Sequence, residues 1–190
     1  MGNTRGSVRI VVAVVGVVVV AAYAALLGLN ALVLDPLAAV PGRSLEQVYA
    51  RVDVGNDVTQ DVVGVLVVAG IGVALGIAAA VVGLAARLPA TVVAVLHLGV
   101  LAAGGLATFQ SGFFLGMDVA DSWPTDGAAH TIWAGVLYLT SLAALVAIPG
   151  VLFATMIRTR NTQRRQQLAA GSRCEQPPRL RPATGAGPGD

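Results

Sequence analysis

The stretch VVGVLVVAGIGVALGIAAAVVGLAA, residues 62–86, decides the class of this protein, because it contains no polar side chain. An α-helix rises about 1.5 Å per residue, so a helix of about 20 residues crosses the hydrocarbon core of a bilayer. Lipid offers no partners for backbone N–H and C=O groups, and a spanning segment must therefore be helical. The stretch predicts a transmembrane helix.

Three other apolar runs have the same character, at about residues 10–34, 90–110 and 130–157. The chain of 190 residues has a mean hydropathy of +0.78 and only 12% charged residues, whereas about a quarter of the residues of soluble domains are charged. We therefore predict an all-α integral membrane protein, folded as an up-down bundle of four transmembrane helices.

This organisation divides the chain into three parts. The membrane domain is predicted over residues 10–157, with outer loops at about 35–61 and 111–129. It follows a cytoplasmic N-terminal segment, residues 1–9. A basic segment, residues 158–190, follows it and becomes disordered from Gly171, where Gly and Pro accumulate and apolar periodicity ends.

The orientation is predicted from the basic residues, all twelve of which are arginine. Ten of them fall before the first run, between the second and third, or after the fourth, together with only two acids. The two remaining loops hold eight acids and two arginines. Because cytoplasmic loops carry an excess of Lys and Arg, both termini are predicted to be cytoplasmic. The composition favours a bacterial plasma (inner) membrane.

A short amphipathic helix is predicted in the first outer loop. Ser44 and Gln47 fit a capping box, in which each side chain bonds the backbone N–H of the other residue. Leu45, Val48 and Val52 then recur on one helical face.

Small residues on the second and third runs predict close helix packing, since they let two backbones approach in lipid. They are Gly72, Gly76, Ala80, Ala103 and Ala107. Two interpretations stay open: contact inside this bundle, or association with a second copy or another membrane protein.

Polar residues near the outer ends of the runs form a candidate cation or proton site. They are Asp61, Gln110, Asp118, Asp121, Asp126 and His130. The hypothesis is an acidic outer vestibule in which His130 and a carboxylate bind a divalent cation. The alternative is anchoring at the membrane interface by Trp123 and Trp133, with Asp126 capping the fourth helix.

His97 is a separate candidate, because an ionisable group well inside a span often marks a functional site. A neutral imidazole bonded to a carbonyl or a hydroxyl is the alternative.

These features favour a non-catalytic accessory or assembly subunit, or a homo-oligomer. The expected contacts are the bilayer and either a membrane-protein partner or a second copy, and no cofactor, metal or nucleic acid is expected. The first alternative is a transporter or channel component with the acidic vestibule. The second is a redox or quinone-linked protein around His97.

Overall fold

The computed structural model describes residues 3–174, and the side chains of residues 6–161 and 163. All regular secondary structure in this part of the chain is helical. In chain order the elements are α1 Asn3–Leu29, a π-helical turn Asn30–Leu34, α2 Asp35–Ala39, α3 Leu45–Val52, α4 Val58–Ala85, α5 Ala90–Ser122 and α6 Ile132–Cys174.

Four helical segments are long and apolar enough to cross a bilayer. They cover Gly6–Ala39, Val58–Ala85, Ala90–Ser122 and Ile132–Asn161. The prediction of four apolar spanning helices is thereby confirmed, and the protein has the make-up of a multi-pass membrane protein.

The chain forms two compact units, Met1–Leu152 and Phe153–Asp190. The first contains the bundle described below. In the second, the described residues continue α6 as far as Cys174, which is four residues into the segment predicted to be disordered. The rest of that segment lies outside the described residues.

Small groups of buried aliphatic side chains join the helices of the bundle. Leu27 of α1, Val65 of α4 and Leu137 of α6 share one cluster. Ala13, Ala80 and Val93 form another, nearer the start of α1. We call the end with Leu27, Val65 and Leu137 the cap end, because α2 and α3 follow α1 there.

Glycine allows α1 and α5 to come into close contact. A Cβ atom on Gly104 would lie 2.6 Å from the ring of Tyr23. Since real Cβ contacts are not that short, the tyrosine ring occupies space that only a glycine leaves open. In lipid such close backbone approach gains dispersion energy without needing a hydrophobic driving force.

The end of α1 is shaped by Pro36. Proline has no N–H, so it cannot bond the carbonyl four residues earlier, that of Leu32. The helix widens into the π-helical turn just before it, where the backbone N–H of Asp35 donates to the carbonyl of Asn30. The hydroxyl of Tyr49 donates to the carbonyl of Leu32 at 2.6 Å, which ties α3 to this turn.

α3 carries the predicted capping box: the backbone N–H of Gln47 donates to the Ser44 hydroxyl, and that of Ser44 to the Gln47 side chain. Val48 and Val52 are fully buried against Val119 of α5.

α5 is longer than predicted, and this corrects the sequence interpretation. Residues 111–122 were predicted as loop, but they continue the helix to Ser122. The reason is packing, because Leu115 and Val119 are 2% and 3% exposed and Val119 forms the surface on which α3 packs.

We expect Gly104→Ala to lower stability by about 1–3 kcal/mol, the usual cost of overpacking a close contact. Gly99→Ala is the matched control on α5, since nothing lies within 4 Å of a Cβ there. Thermal unfolding in detergent should show a lower midpoint for Gly104→Ala alone. Equal midpoints for the two variants would contradict the close packing of Tyr23 on Gly104.

Candidate functional site

A cavity of about 220 Å³ lies at the cap end, and we call it the cap cavity. Its walls come from the end of α1 with the π-helical turn, from α5, and from the start of α6 with the segment that precedes it. The volume is below the roughly 300–1,000 Å³ of pockets that enclose drug-sized ligands. The cap cavity therefore suits a small ligand or one end of a larger one.

The rim of the cap cavity is polar and charged. Asp35 accepts a hydrogen bond at 2.7 Å from the backbone N–H of His130. The Nε2 atom of His130 lies 3.1 Å from Asp126 Oδ1 and 3.2 Å from the hydroxyl of Thr125. Asp126 and Thr125 thus hold the imidazole of His130, and Asp35 holds the backbone of the same residue.

Asp126 does not cap α6 as the sequence suggested. The helix begins at Ile132, and Asp126 instead accepts the backbone N–H of Ala128 at 3.2 Å. This hydrogen bond is formed within the segment that precedes α6. Asp126 therefore stays at the rim, with its side chain 78% exposed.

Buried polar groups lie below the rim. Asn30 and Ser111 are 6% and 7% exposed and both line the cavity. The side-chain carbonyl of Asn30 accepts from Thr131. Among the described residues, neither the Ser111 hydroxyl nor the Asn30 amide nitrogen has a hydrogen-bond partner. Neither atom is among the fully enclosed side-chain atoms that lack a partner, so both are open to a space beside them and can bond water or a ligand there.

At its deep end the cavity reaches a hydroxyl network. Tyr23 of α1 lies 2.8 Å from Thr108 of α5 and 2.9 Å from Ser141 of α6. Thr108 donates to the carbonyl of Gly104 at 2.9 Å. Since a hydroxyl has one proton, Thr108 accepts from Tyr23, and Tyr23 accepts from Ser141.

One side of the cavity is apolar and open. Phe109, Phe113 and Tyr138 line it and are 54%, 48% and 41% exposed. A residue that lines a cavity and is also half-exposed marks its opening. The cavity therefore has a second opening between α5 and α6, on the apolar surface of the bundle.

The predicted vestibule is divided between two places. Asp126 and His130 belong to the cap cavity, whereas Asp61 and Gln110 line a second space, a groove of about 260 Å³ between α4 and α5. Ser111 and Leu115 line both spaces. Asp118 lies within hydrogen-bonding reach of Asp61. Asp121 is exposed on α5 and lines neither space.

Asp118, Asp121 and Asp126 were the candidate carboxylates for a cation bound with His130, and only Asp126 is placed beside it. Among the residues whose side chains the structure describes, no group of three or more His, Cys, Asp or Glu is arranged to hold a metal ion.

Tyr49 of α3 is influenced by Asp61, which lines the groove between α4 and α5. Burial, and secondarily the charge of Asp61, raise the pKa of Tyr49 to about 12. Both effects favour the neutral phenol, which is the form that donates to the carbonyl of Leu32.

His97 lies away from both spaces and is 3% exposed. Its Nδ1–H donates to the carbonyl of Val93 at 2.8 Å. This is the bond expected from the interpretation in which the imidazole is bonded to a carbonyl. The Nε2 atom is buried, with no partner among the described residues. The ring packs on α1, since a Cβ on Gly16 would come within 2.5 Å of it.

The predicted helix-packing residues are distributed over several environments. Gly76 and Ala80 are buried inside the bundle, where a Cβ on Gly76 would lie 3.1 Å from Val20. Gly72 and Ala107 line a small space beside Tyr23. Ala103 is exposed.

The two tryptophans also differ. Trp133 is 45% exposed. Trp123, predicted as a membrane anchor, is partly buried, with the Arg51 guanidinium 4.5 Å from its ring centroid and that of Arg43 at 5.7 Å. Guanidinium groups within about 6 Å of an indole face are attracted to it, so Trp123 attaches α3 to α5.

Comparison with known proteins gives no match: no family model, no curated protein and no solved structure is significantly similar to this chain. The candidate site must be interpreted from its own residues.

The sequence analysis missed four polar residues that line the cap cavity, Asn30, Asp35, Thr108 and Ser111. It also missed Tyr23 and Thr131, which bond Thr108 and Asn30. One signal was available, because Tyr23 and Asn30 are the polar interruptions of the first apolar run and lie seven residues apart on one helical face. Asp35 seemed to belong to a loop, but the π-helical turn and α2 continue the helix through it.

We expect an ultraviolet titration of the phenols to show one tyrosine ionising near pH 12. Because this folded-state pKa is above the ordinary 10, stability should be unaffected below pH 10 and should fall as the pH rises through 12. In Tyr49→Phe the high transition should disappear. A transition near pH 12 that persists in Tyr49→Phe would show that another tyrosine is responsible.

Proposed function

We propose that this protein is a non-catalytic multi-pass membrane protein of the plasma (inner) membrane that binds a small ligand in the cap cavity. The observation that carries the proposal is the pair of buried residues, Asn30 and Ser111, which line the cavity and whose side-chain donors have no partner among the described residues. A ligand with an acceptor atom would replace water at these donors, at a net gain of about 0.5–1.5 kcal/mol for each hydrogen bond.

The rim supports the same proposal. Hydrogen bonds within the protein already hold Asp35 and His130 in place, so the rim is organised before a ligand binds. A preorganised site loses less conformational entropy when a ligand binds.

In this proposal both termini are cytoplasmic and the cap end faces outward. The support is the arginine distribution, because ten of the twelve arginines lie in the segments assigned to the cytoplasm. The cap cavity then opens toward the outer aqueous side, where a ligand would arrive without crossing the bilayer.

We expect a membrane-impermeant maleimide to leave Cys174, the single cysteine, unlabelled in intact cells. In a Cys174→Ser background, Glu46→Cys should be labelled, because Glu46 is exposed on α3. Permeabilised cells are the control, in which both proteins should react. Labelling of Cys174 but not of Glu46→Cys in intact cells would reverse the proposed orientation.

We expect native mass spectrometry of the protein, extracted in mild detergent from its own membranes, to show a bound small molecule. Gly112→Trp should remove this adduct, because Gly112 lines the cavity and has open space around its Cβ position.

Gly99→Trp is the matched control: it lies on the same helix with open space around it, outside the cap cavity. It should keep the adduct. An adduct that is absent from the wild type, or equal in the two variants, would overturn the proposed site.

A second candidate function is assembly with another membrane protein or with a second copy. It is favoured by a ridge of small residues, Gly70, Ala74 and Ala78, which α4 exposes on the face away from Gly76 and Ala80. Such a ridge suits close helix contact in lipid. In the same spectra a second polypeptide or a homodimer at fixed stoichiometry would support this function, and a bare monomer would contradict it.

A further inference from the structure

We infer that the ligand of the cap cavity is an amphiphilic amine: an ammonium group at the rim, a hydrogen-bond acceptor below it, and an apolar chain that leaves between α5 and α6. The inference rests on the proposed function, since it names the chemical class that this site would bind. Three features of the cavity, taken from the rim downward, carry it.

The rim carries two carboxylates, those of Asp35 and Asp126. In the part of the chain that the structure describes, His130 is the one basic side chain of the lining, and no arginine lines the cavity. Asp126 and His130 form an ion pair only when the imidazole is protonated. Asp35 is partly buried, so water screens its charge less than that of Asp126. An anionic ligand is disfavoured there, and an ammonium group is favoured.

The middle of the cavity supplies hydrogen-bond donors rather than charge. The Asn30 amide can donate two N–H bonds and the Ser111 hydroxyl one. Both residues are at least nine-tenths buried, in the wall below Asp35. A carbonyl, ether or hydroxyl oxygen of the ligand would satisfy these donors. A bare inorganic cation would not, because it offers no acceptor.

The remaining wall sets the character of the rest of the ligand. Leu27 and Leu137 form a closed apolar surface, 3% and 1% exposed. Phe109 and Phe113 line the lateral opening and stack with their ring centroids 5.7 Å apart. A hydrocarbon chain that follows these rings reaches the surface of the bundle that faces lipid, so the ligand can enter from the bilayer.

The test measures binding of small amphiphilic probes to the full protein in lipid nanodiscs. Hexylammonium, hexanol and hexanoate have apolar chains of similar length and head groups that are cationic, neutral and anionic. A fourth probe, 2-propoxyethylammonium, is hexylammonium with its third methylene replaced by an ether oxygen. It supplies the acceptor that hexylammonium lacks and should bind more tightly, and equal binding of these two would overturn the acceptor as part of the ligand class. Isothermal titration calorimetry, with empty nanodiscs subtracted for partition into lipid, should show saturable binding of hexylammonium. Hexanol should bind about tenfold more weakly, as expected for loss of one charge-assisted bond. Hexanoate should not bind.

Variants locate the charge that is responsible. Asp35→Asn keeps an oxygen for the His130 N–H and removes the charge, and should weaken hexylammonium binding about tenfold. Asp126→Asn should weaken it only about two- to fivefold, because an exposed charge is well screened. Asp121→Asn is the matched control, since Asp121 lines neither space, and should bind hexylammonium as the wild type does.

The outcomes separate this inference from the proposed function. Equal binding of hexylammonium and hexanol, or full binding by Asp35→Asn, would overturn the amine as the ligand class. If the amine fails these tests but native spectra of the wild type still show an adduct that Gly112→Trp removes, the cap cavity would remain a site for a ligand of another class. Absence of both the adduct and any probe binding would overturn the two together.

Discussion

The hydroxyl chain from Ser141 through Tyr23 to Thr108 is the interaction on which the bundle depends. It joins α6, α1 and α5 at one level and ends on the carbonyl of Gly104. In a bilayer each of these hydroxyls would be costly without a partner, so sliding one helix along its neighbours breaks several bonds together. The chain therefore fixes the register of three helices, and Gly104 makes it possible by letting the Tyr23 ring approach α5.

That register also creates the cap cavity. Thr108 lines the deep end of the cavity while it bonds Tyr23, and Leu137 of α6 closes the wall beside it. Above this level α1 does not end but widens into the π-helical turn, since Pro36 cannot continue the α-helical bonding. Tyr49 bonds the carbonyl that Pro36 leaves free. The same proline thus places Asn30 and Asp35 at the cavity and attaches α3 to the bundle.

Much of the fold could be predicted because lipid restricts the choice: long apolar runs must be helices, and the Ser44–Gln47 pair is a local capping signal. The extension of α5 could not, since glycine and acid interrupt the apolar pattern around Leu115 and Val119, and the burial of Val119 depends on contact with α3. The site was predicted in part. Asp126 and His130 could be found by their charge, but Asn30, Asp35 and Ser111 meet only through helix register, which no local pattern encodes.

The distribution of polar groups along the bundle follows from the cost of charge in lipid. Neutral hydroxyls and amides line the inner part of the cavity, and the carboxylates of the cavity stand at the cap end, where water and backbone N–H groups reach them. A ligand that matches this order must be charged at one end only. It is therefore bound in one orientation, with its charge at the rim and its apolar part beside Phe109 and Phe113. The order that makes the helices stable in a bilayer is thus also what would make the cavity selective.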